Sequence, residues 1–491
     1  MTIKDLTPSV VWNNFYGITR IPRPSKHEEK IRQYLLDWAA AHKVEAFTDK
    51  TGNVIMRVPA TPGYENRKGV VLQGHMDMVP QKNSDSTHDF LNDPIETRVE
   101  GDWLKACGTT LGADNGLGVA LALSVAESPE VKHGPIEILV TYDEETGMTG
   151  AEALEPGILQ GDILINLDSE SEGELYVGCA GGLDASVKGS YARIDEPQGY
   201  SCYSLAVKGC QGGHSGMDII LCRANANKVG ARLLHALLTG CDAKLIDFEG
   251  GTLRNAIPRE FFATVYVKDE AAAKAVVDAE AKAIISEYKE TDPDMNISFE
   301  PYLEAEGECC SHEDCMAVED ADALRIVRAI LACPDGVERM SASVPGLVET
   351  SNNMAMVGLC HGEWFVKCLM RSSVDTAKAA LATKMESVFA LAGASIEFTG
   401  GYSGWAPNPD STILKVMKEV YLRMFGCEPK VMAIHAGLEC GILSGAYPHW
   451  DMVSCGPTLL SPHSPDERAY IPSVQKVWDY LQEVLAAIPE R

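Results

Sequence analysis

The sequence predicts an α/β fold in which a mostly parallel sheet is flanked by helices and an α+β domain is inserted into it. Short β-branched runs, which predict strands, alternate with helical patterns at 27–42 and 114–128. This alternation is typical of a largely parallel sheet with crossover helices. From residue 184 the order of elements changes, which indicates an insertion. The predicted strands of the first part lie at 53–59, 69–77, 135–145 and 162–170.

The first helix is predicted from the spacing of its apolar residues. Within 27–42, Ile31, Leu35 and Trp38 recur at helical intervals, and Pro22 and Pro24 stop any earlier helix. One face of this helix is therefore expected to pack on the sheet.

The domain organisation follows from the change of pattern. Residues 1–183 and 402–491 are expected to form one catalytic domain, and residues 184–401 the inserted domain. The insertion begins with a predicted helix, a strand pair and an Ala-rich helix, and a looser version of this order recurs at 316–400. The recurrence suggests that the insertion contains two related halves.

The balance of charged residues limits the classes of partner that the protein is expected to bind. The chain has 491 residues with 42 Lys and Arg against 70 Asp and Glu, a net charge of −28, and 45% of its residues are hydrophobic. This composition is typical of a globular protein. Because the acidic surface repels phosphate backbones and anionic lipids, neither nucleic acid nor a membrane surface is expected as a partner.

Cysteine usage and the first residues favour a cytoplasmic location. The fifteen cysteines are scattered without the dense spacing of a secreted disulfide scaffold. The segment MTIKDLTPSVVWNNF has no signal-peptide pattern, and no apolar run approaches the length of a membrane span. We therefore expect reduced thiols.

Seven polar side chains sit at the ends of apolar runs, where parallel sheets collect their ligands. Side chains two apart on a strand project to the same side, so a histidine of GHMD can bind a metal while the aspartate orients its second nitrogen. Three carboxylates and two imidazoles suit two divalent ions that share one carboxylate, whereas such acids without a cation repel one another. Each residue taken alone could be an ordinary polar loop end. The seven are His75, Asp77, Asp114, Glu144, Glu145, Asp168 and His463.

Two adjacent glutamates can serve two different chemical functions. Glu145 can ligate a metal while Glu144 faces the attacking water. Glu144 is therefore the natural general base.

The motifs GHMD, LGADNGLG, YDEETG, NLDSE, GGHSG and HSPDE, in this order, resemble those of the co-catalytic zinc peptidases, which include carnosinases, aminotripeptidases and glutamate carboxypeptidases. IPRPSKHE, HAGLECG, NNM and the long insertion extend the resemblance to the aminoacyl-histidine dipeptidases over essentially the whole chain. The resemblance implies a catalytic domain with an inserted lid and two divalent ions per chain. Zinc is expected, and cobalt or manganese suits the same donors.

The resemblance also implies roles for the seven residues. His75, Asp114 and Asp168 would hold one ion, and Asp114, Glu145 and His463 the other. Asp77 would orient His75, and Glu144 would act as the general base. In such peptidases the peptide after the bridging aspartate is often cis, so Asp114–Asn115 is a candidate for that bond.

Four further residues are substrate-binding candidates by resemblance. His214 in GGHSG matches a lid histidine that stabilises the oxyanion, or it is a turn residue. Asn255 and Arg371 match groups that grip the substrate, Arg371 through the C-terminal carboxylate; otherwise they are an interior amide and a surface ion pair. His435 in HAGLECG either faces the substrate or braces its loop.

Other metal and catalytic patterns do not apply. CCSHEDC at 309–315 does not match a paired CxxC framework and predicts a reduced surface segment. The sequence contains neither an HExxH helix, a GxSxG elbow nor a dinucleotide fingerprint.

The leading hypothesis is a metal-dependent dipeptidase for unblocked dipeptides, preferably with C-terminal histidine. An aminotripeptidase, an N-acyl-amino-acid deacylase and a catalytically silent peptide-binding protein are the alternatives. By resemblance a homodimer is expected, although a two-halved insertion could mimic the lid of a partner.

Overall fold

The computed structural model describes residues 2–302 and 316–491, and they group into two compact units. The first unit comprises Met1–Cys179, Trp405–Ala433 and Leu438–Arg491, and the second comprises Ala180–Gly404 and Ile434–Gly437. The predicted insertion at 184–401 falls inside the second unit. The motif CCSHEDC at 309–315 lies outside the described residues.

The first unit contains helices and strands in alternation. Its helices are α1 (Ser9–Thr19), α2 (Glu29–His42), α3 (Ala113–Glu127), α4 (Glu144–Gly147), α5 (Thr149–Glu152), α10 (Thr412–Phe425), α11 (Glu439–Ala446) and α12 (Ile471–Ala487). Its strands are β1 (Glu45–Thr48), β2 (Val54–Val58), β3 (Val70–His75), β4 (Thr97–Glu100), β5 (Trp103–Ala106), β6 (Ile136–Thr141), β7 (Ile163–Asn166), β8 (Glu174–Cys179), β22 (Lys430–Ile434), β23 (Asp451–Ser454), β24 (Leu459–Leu460) and β25 (Arg468–Tyr470).

The second unit has fewer helices and longer strands. Its helices are α6 (Ala226–Gly240), α7 (Glu270–Tyr288), α8 (Asp320–Ala332) and α9 (Asp375–Leu391). Its strands are β9 (Gly181–Ser190), β10 (Arg193–Ile194), β11 (Ser201–Lys208), β12 (Gly213–His214), β13 (Ala243–Gly250), β14 (Ala256–Ile257), β15 (Phe261–Val267), β16 (Asn296–Pro301), β17 (Ala317–Val318), β18 (Gly336–Met340), β19 (Val348–Cys360), β20 (Glu363–Ser372) and β21 (Ser395–Thr399). Across the described parts of both units, the helices are all too short or too polar to cross a membrane.

An eight-stranded sheet forms the centre of the first unit, in the order β1-β2-β6-β3-β7-β23-β8-β22. The four central strands β6, β3, β7 and β23 are parallel, whereas β1, β2 and β8 pair antiparallel with their neighbours. Every residue of β3, β6 and β7 is buried, as expected for parallel strands covered by helices on both faces. The predicted α/β class is confirmed.

The second unit is built on a nine-stranded sheet with the path β16-β11-β15-β13-β19-β20-β9-β21, and β18 pairs with β19 beside it. This path consists of two β–α–β–β–α–β sets with the same internal strand order. One set is β11-α6-β13-β15-α7-β16, and the other is β9-α8-β19-β20-α9-β21. The sets join where β13 pairs with β19, and one hydrophobic core continues across both.

Candidate metal centre and catalytic residues

The sequence-predicted donors of the first unit converge at one edge of its sheet. His75 is the last residue of β3, Glu144 and Glu145 follow β6, and Asp168 follows β7. Carboxyl ends of parallel strands meet at the same edge. Asp114 joins them from the start of α3.

The two oxygens of Asp114 face different histidines. Asp114 Oδ1 lies 3.0 Å from His75 Nε2, and Asp168 Oδ1 lies 3.4 Å from the same nitrogen. Asp114 Oδ2 lies 3.2 Å from His463 Nε2, which is 2.9 Å from Glu145 Oε2. The donors therefore form two sets, each containing one imidazole and two carboxylates, and Asp114 belongs to both.

The residues fit a pair of cations. Donor atoms of His75, Asp114 and Glu145 all lie within 4.8 Å of one another. Glu145 Oε1 is buried and accepts no hydrogen bond from any described residue. A buried oxygen without a partner is costly, and a bound cation would remove that cost.

Asp77 holds both the histidine and the glutamate pair. Its Oδ1 lies 3.3 Å from His75 Nδ1 and accepts the Glu144 N–H at 3.0 Å. Its Oδ2 accepts the Ser25 hydroxyl at 2.8 Å and the Glu145 N–H at 3.2 Å. The hydrogen bonds to Asp77, with burial opposing them, bring its pKa to about 2. Asp77 is thus ionised and fixes three residues of the site.

The peptide bond between Asp114 and Asn115 is cis, as the resemblance implies. The side chain of Asn115 links two strand ends, since its Oδ1 accepts the His75 N–H at 3.3 Å and its Nδ2 donates to the Leu167 carbonyl at 2.8 Å. Gly74 leaves room for this, because a Cβ there would lie 2.1 Å from Asn115 Oδ1.

Both histidines of the centre have raised pKa values. Burial lowers the pKa of His75, but the carboxylates of Asp168 and Asp114 more than offset it, so the pKa lies well above its ordinary value. Hydrogen bonds to Asp114 and Glu145 raise the pKa of His463 to about 11. The field at the centre therefore favours positive charge.

Two buried carboxyl groups of the centre, those of Asp168 and Glu144, also have raised pKa values, whereas burial is outweighed at Asp114 by hydrogen bonds from His463 and His75, which lower its pKa. Burial raises the pKa of Asp168 to about 6 and the pKa of Glu144 well above its ordinary value, with Asp168 and Glu439 reinforcing the effect at Glu144. Crowded acids of this kind hold protons unless a cation neutralises them.

Beneath the donors lies a buried polar network that the motifs did not predict. Glu439, at the start of α11, accepts hydrogen bonds from Gln73 Nε2 at 2.5 Å and Thr141 Oγ1 at 2.8 Å. Gln73 Oε1 accepts from Asn166 Nδ2 at 2.5 Å, and Asn166 Oδ1 accepts the Asp168 N–H at 3.3 Å. The network joins the ends of β3, β6 and β7.

In the second unit, hydrogen bonds fix the protonation pattern of His214. The N–H groups of Gly216 and Met217 donate to its Nδ1 at 3.2 and 3.1 Å. Burial lowers the pKa of His214, and Arg371 lowers it further, so the ring is neutral. A neutral ring that accepts at Nδ1 carries its proton on Nε2, and Nε2–H is a hydrogen-bond donor.

Arg371 is buried, with 6% of its surface exposed. Its Nε lies 3.3 Å from Ser215 Oγ and its Nη1 3.5 Å from the Tyr402 hydroxyl, and no carboxylate among the described residues forms an ion pair with it. The surface ion pair considered for Arg371 is therefore wrong. Asn255 is exposed, so the interior amide considered for it is wrong too; its backbone carbonyl accepts the Ser215 N–H at 2.8 Å.

His435 is buried, and its Nε2 is hydrogen-bonded to Ser351 Oγ at 2.7 Å. Burial, reinforced by Arg371, lowers its pKa to about 3. Gly216 lies against the His435 carbonyl so closely that a Cβ would be 2.1 Å from it. These contacts favour the bracing role for His435.

The motifs assigned no role to the side chains of Arg23, Asn115, Glu439 and Glu467. Their only signal was their presence inside the motifs IPRPSKHE, LGADNGLG, HAGLECG and HSPDE.

Comparison with known proteins gives a consistent result. The model of the peptidase family M20/M25/M40 matches residues 71–487. Over 491 residues the chain is 43% identical to the cytosol non-specific dipeptidase of Escherichia coli, covering 100% of this chain and 99% of that protein.

The solved structures agree. The crystal structure of aminoacylhistidine dipeptidase from Vibrio alginolyticus matches with a TM-score of 0.95 and 46% identity, covering 100% of this chain and 99% of that one. A tripeptidase from Staphylococcus aureus matches with a TM-score of 0.56 and 16% identity, covering 98% and 99%, which shows the fold alone. The resemblance inferred from the motifs is confirmed.

Proposed function

The chain belongs to the peptidase family M20/M25/M40 and is a hydrolase of peptide bonds, and we propose that it is a dipeptidase dependent on two divalent metal ions. The substrates of the proposal are unblocked dipeptides, preferably with C-terminal histidine. The names of the two most similar relatives reported above support the dipeptidase assignment.

One observation in particular supports the proposed metal dependence. Asp114 presents one oxygen to His75 and the other to His463, as a carboxylate that bridges two ions would. In the proposal His75, Asp114 and Asp168 hold the first ion, and Asp114, Glu145 and His463 hold the second. When bound, such ions supply Lewis-acid polarisation of the scissile carbonyl and acidify water.

Glu144 is the general base of the proposal. Its raised pKa suits a carboxylate that takes a proton from the attacking water and passes it to the leaving amine. Asp77 accepts the N–H groups of Glu144 and Glu145, so it holds the base and a donor in one orientation while it orients His75.

His214 donates to the developing oxyanion in this proposal. Its Nδ1 is occupied by two backbone N–H groups, which leaves Nε2–H as the donor. A fixed neutral donor stabilises negative charge without reorganisation during the reaction.

Arg371 binds the C-terminal carboxylate of the substrate. A buried guanidinium whose described side-chain contacts are hydroxyls is poorly compensated, and a carboxylate offers it a bidentate partner. We assign substrate contact to the exposed Asn255 as well. His435 contributes to binding by bracing the loop of His214.

Metal removal and graded restoration test the proposal. The apoprotein is titrated with zinc, cobalt or manganese while the release of histidine from an Xaa-His dipeptide and the metal content are measured together. Activity should be absent without metal and reach its maximum near two ions per chain. Full activity in metal-free protein would refute the proposal.

A substrate panel separates the dipeptidase from the alternatives. Dipeptides, tripeptides and N-acylated amino acids are compared by kcat/KM. We expect the free dipeptides to be cleaved fastest and Xaa-His to lead among them. A preference for tripeptides or N-acylated substrates would replace the proposed substrate class, and binding without cleavage would identify a silent binding protein.

The proposal also covers ion, assembly and location. We propose zinc as the resident ion, with cobalt or manganese as substitutes, because imidazole and carboxylate donors accept all three. We propose a homodimer and a cytoplasmic location, the latter supported by the name of the Escherichia coli relative. Elemental analysis of the isolated protein, light scattering and cell fractionation test these three points.

A further inference from the structure

A single buried carboxylate binds the backbone that leads to Asp114. Glu467 Oε2 accepts the N–H groups of Leu111 and Gly112 at 2.7 and 3.0 Å. Its Oε1 accepts those of Ala113 and Asp114 at 2.7 and 3.3 Å. Glu467 is 2% exposed, so these four backbone groups replace its hydration.

This contact is more than a helix cap. Although α3 begins at Ala113, Asp114 and Asn115 have non-helical backbone angles (φ −80°, ψ 110° and φ −105°, ψ 28°). The regular helix therefore starts after Asn115, and Glu467 binds the irregular segment that carries Asp114. The Gly116 N–H donates to the Gly112 carbonyl at 3.2 Å across this segment, whereas the N–H groups of residues 111–114 find their acceptor in Glu467.

Glu467 also belongs to the turn that carries His463. Its backbone N–H donates to the Ser464 carbonyl at 2.9 Å, and His463 has a left-handed backbone with φ of 57°. One residue thus connects the backbone at Asp114 to the loop of His463, although the two donors are far apart in the sequence.

Arg23 binds the same segment through the carbonyl of Gly112. Its buried guanidinium donates through Nη1 to the carbonyls of Met76 and Asp77 at 3.0 and 2.7 Å and through Nη2 to the Gly112 carbonyl. Gly112 has φ of 67°, and a Cβ there would lie 2.6 Å from Arg23 Nη2. Glycine is therefore required for this approach, and Arg23 links the segment after β3 to the segment before Asp114.

We propose that Glu467 and Arg23 are positioning residues that fix Asp114 and His463 for metal binding. The inference rests on the proposed metal pair. The carboxyl group of Glu467 offers two oxygens to four N–H donors, whereas a glutamine amide offers one oxygen and turns its own N–H groups toward the remaining donors. Glu467→Gln therefore preserves the shape of the side chain and removes two of the four backbone contacts.

The matched control is Glu137→Gln. Glu137 is also a buried glutamate of the first unit, and its Oε2 accepts the N–H groups of Gln160 and Gly161 at 2.7 and 2.9 Å. It lies at the amino end of β6, at the opposite edge of the sheet from the donors. The control removes a buried carboxylate charge, together with its ion pair to Arg57 Nε at 3.5 Å, away from the proposed centre, while its amide oxygen keeps both backbone contacts.

The experiment measures cobalt binding by visible absorption in competition with a chelator, together with kcat, KM and the thermal unfolding of the apoprotein. For Glu467→Gln we expect at least one cobalt affinity to fall by about 10- to 100-fold, as found for residues that support metal ligands, with a changed spectrum and a lower kcat. Glu137→Gln should keep the wild-type cobalt affinity and the wild-type spectrum, and its apoprotein should unfold at a temperature similar to that of the wild-type apoprotein. Arg23→Lys keeps the charge, loses the planar fork and should weaken cobalt binding in the same way, which preserves the test if Glu467→Gln does not fold.

Two outcomes separate the inference from the proposed function. If the wild-type protein binds two cobalt ions and hydrolyses dipeptides while Glu467→Gln and Arg23→Lys match it in affinity and spectrum, the inference is refuted and the proposed function stands. An affinity loss in Glu137→Gln equal to that in Glu467→Gln also refutes the inference. If the wild-type protein neither binds two ions nor hydrolyses dipeptides, the proposed function and the inference both fail.

Discussion

The substitution Asp77→Asn tests how much the proposed centre depends on one orienting carboxylate. Oδ1 of Asp77 faces His75 Nδ1 and the Glu144 N–H, and Oδ2 accepts from Ser25 and the Glu145 N–H. An asparagine fits the same space. Its amide nitrogen must nevertheless replace one of the two oxygens, and each oxygen now serves two donors.

The less costly orientation places the new nitrogen beside Ser25, because a hydroxyl can rotate and become an acceptor. The Glu145 N–H then loses its acceptor, and His75 faces a neutral oxygen instead of a charged one. Hydrogen bonds to charged groups contribute about 1.5–3 kcal/mol each. Losing one and weakening a second therefore costs about 3 kcal/mol, which corresponds to about a hundredfold in kcat/KM if the transition state bears the whole loss.

The assay is histidine release from an Xaa-His dipeptide at matched metal content. Asp49→Asn is the control, since Asp49 Oδ1 accepts the N–H groups of Thr51, Gly52 and Asn53 in the same unit and none of these residues is a proposed donor. We expect this control to retain wild-type kcat/KM. A kcat/KM for Asp77→Asn within threefold of wild type would refute the assignment of Asp77 as the orienting residue.

Three further predictions concern Glu144, Arg371 and His435. Glu144→Ala should retain both ions and lose nearly all turnover, because Glu144 is assigned as a base and not as a ligand; elemental analysis with steady-state kinetics checks this, and normal turnover contradicts it. Arg371→Lys should raise KM for a dipeptide by about tenfold or more, because one charged hydrogen bond is lost. It should also reduce the preference for a dipeptide with a free C-terminal carboxylate over the same dipeptide with a C-terminal amide, and an unchanged preference contradicts the carboxylate contact. Burial, with Arg371 adding to it, lowers the pKa of His435 from 6.5 to about 3, so between these pH values the unfolded chain binds a proton that the folded protein excludes, and the free energy of unfolding falls as pH falls through this window. The free energy of unfolding, measured with urea, should therefore decline less between pH 7 and pH 5 in His435→Gln than in the wild-type protein. The same dependence on pH in both proteins would contradict a buried neutral histidine.

The parts of the fold that local sequence specifies were predictable. The strands β3, β6 and β7 are buried on both faces, so they appear in the sequence as continuous apolar runs. The direction in which strands pair is set by the path of the chain. The sequence therefore did not reveal that β2 runs antiparallel to β6.

The residues of the candidate site also fall into two groups, those that the sequence predicted and those that it did not. His75 and Asp168 stood out because their residue types carry chemistry at the ends of apolar runs. Asn115 and Glu439 did not, because their importance arises from contacts with Leu167 and Gln73, which are distant in the sequence. Periodicity and spacing do not encode such contacts.

The buried network explains why the donors meet at fixed distances. Thr141, Asn166 and Ser454 are the last residues of β6, β7 and β23, where the backbone hydrogen bonds of the sheet end. Asn166 accepts from Ser454 Oγ and donates to Gln73, whose amide in turn donates to Glu439. Buried polar groups are tolerated only when they are hydrogen-bonded, and such networks then rigidify their surroundings. The side chains thus continue the lateral connections of the sheet beyond its backbone ladder, so the spacing between His75 and Asp168 is a property of the sheet edge and not of the loops that follow it.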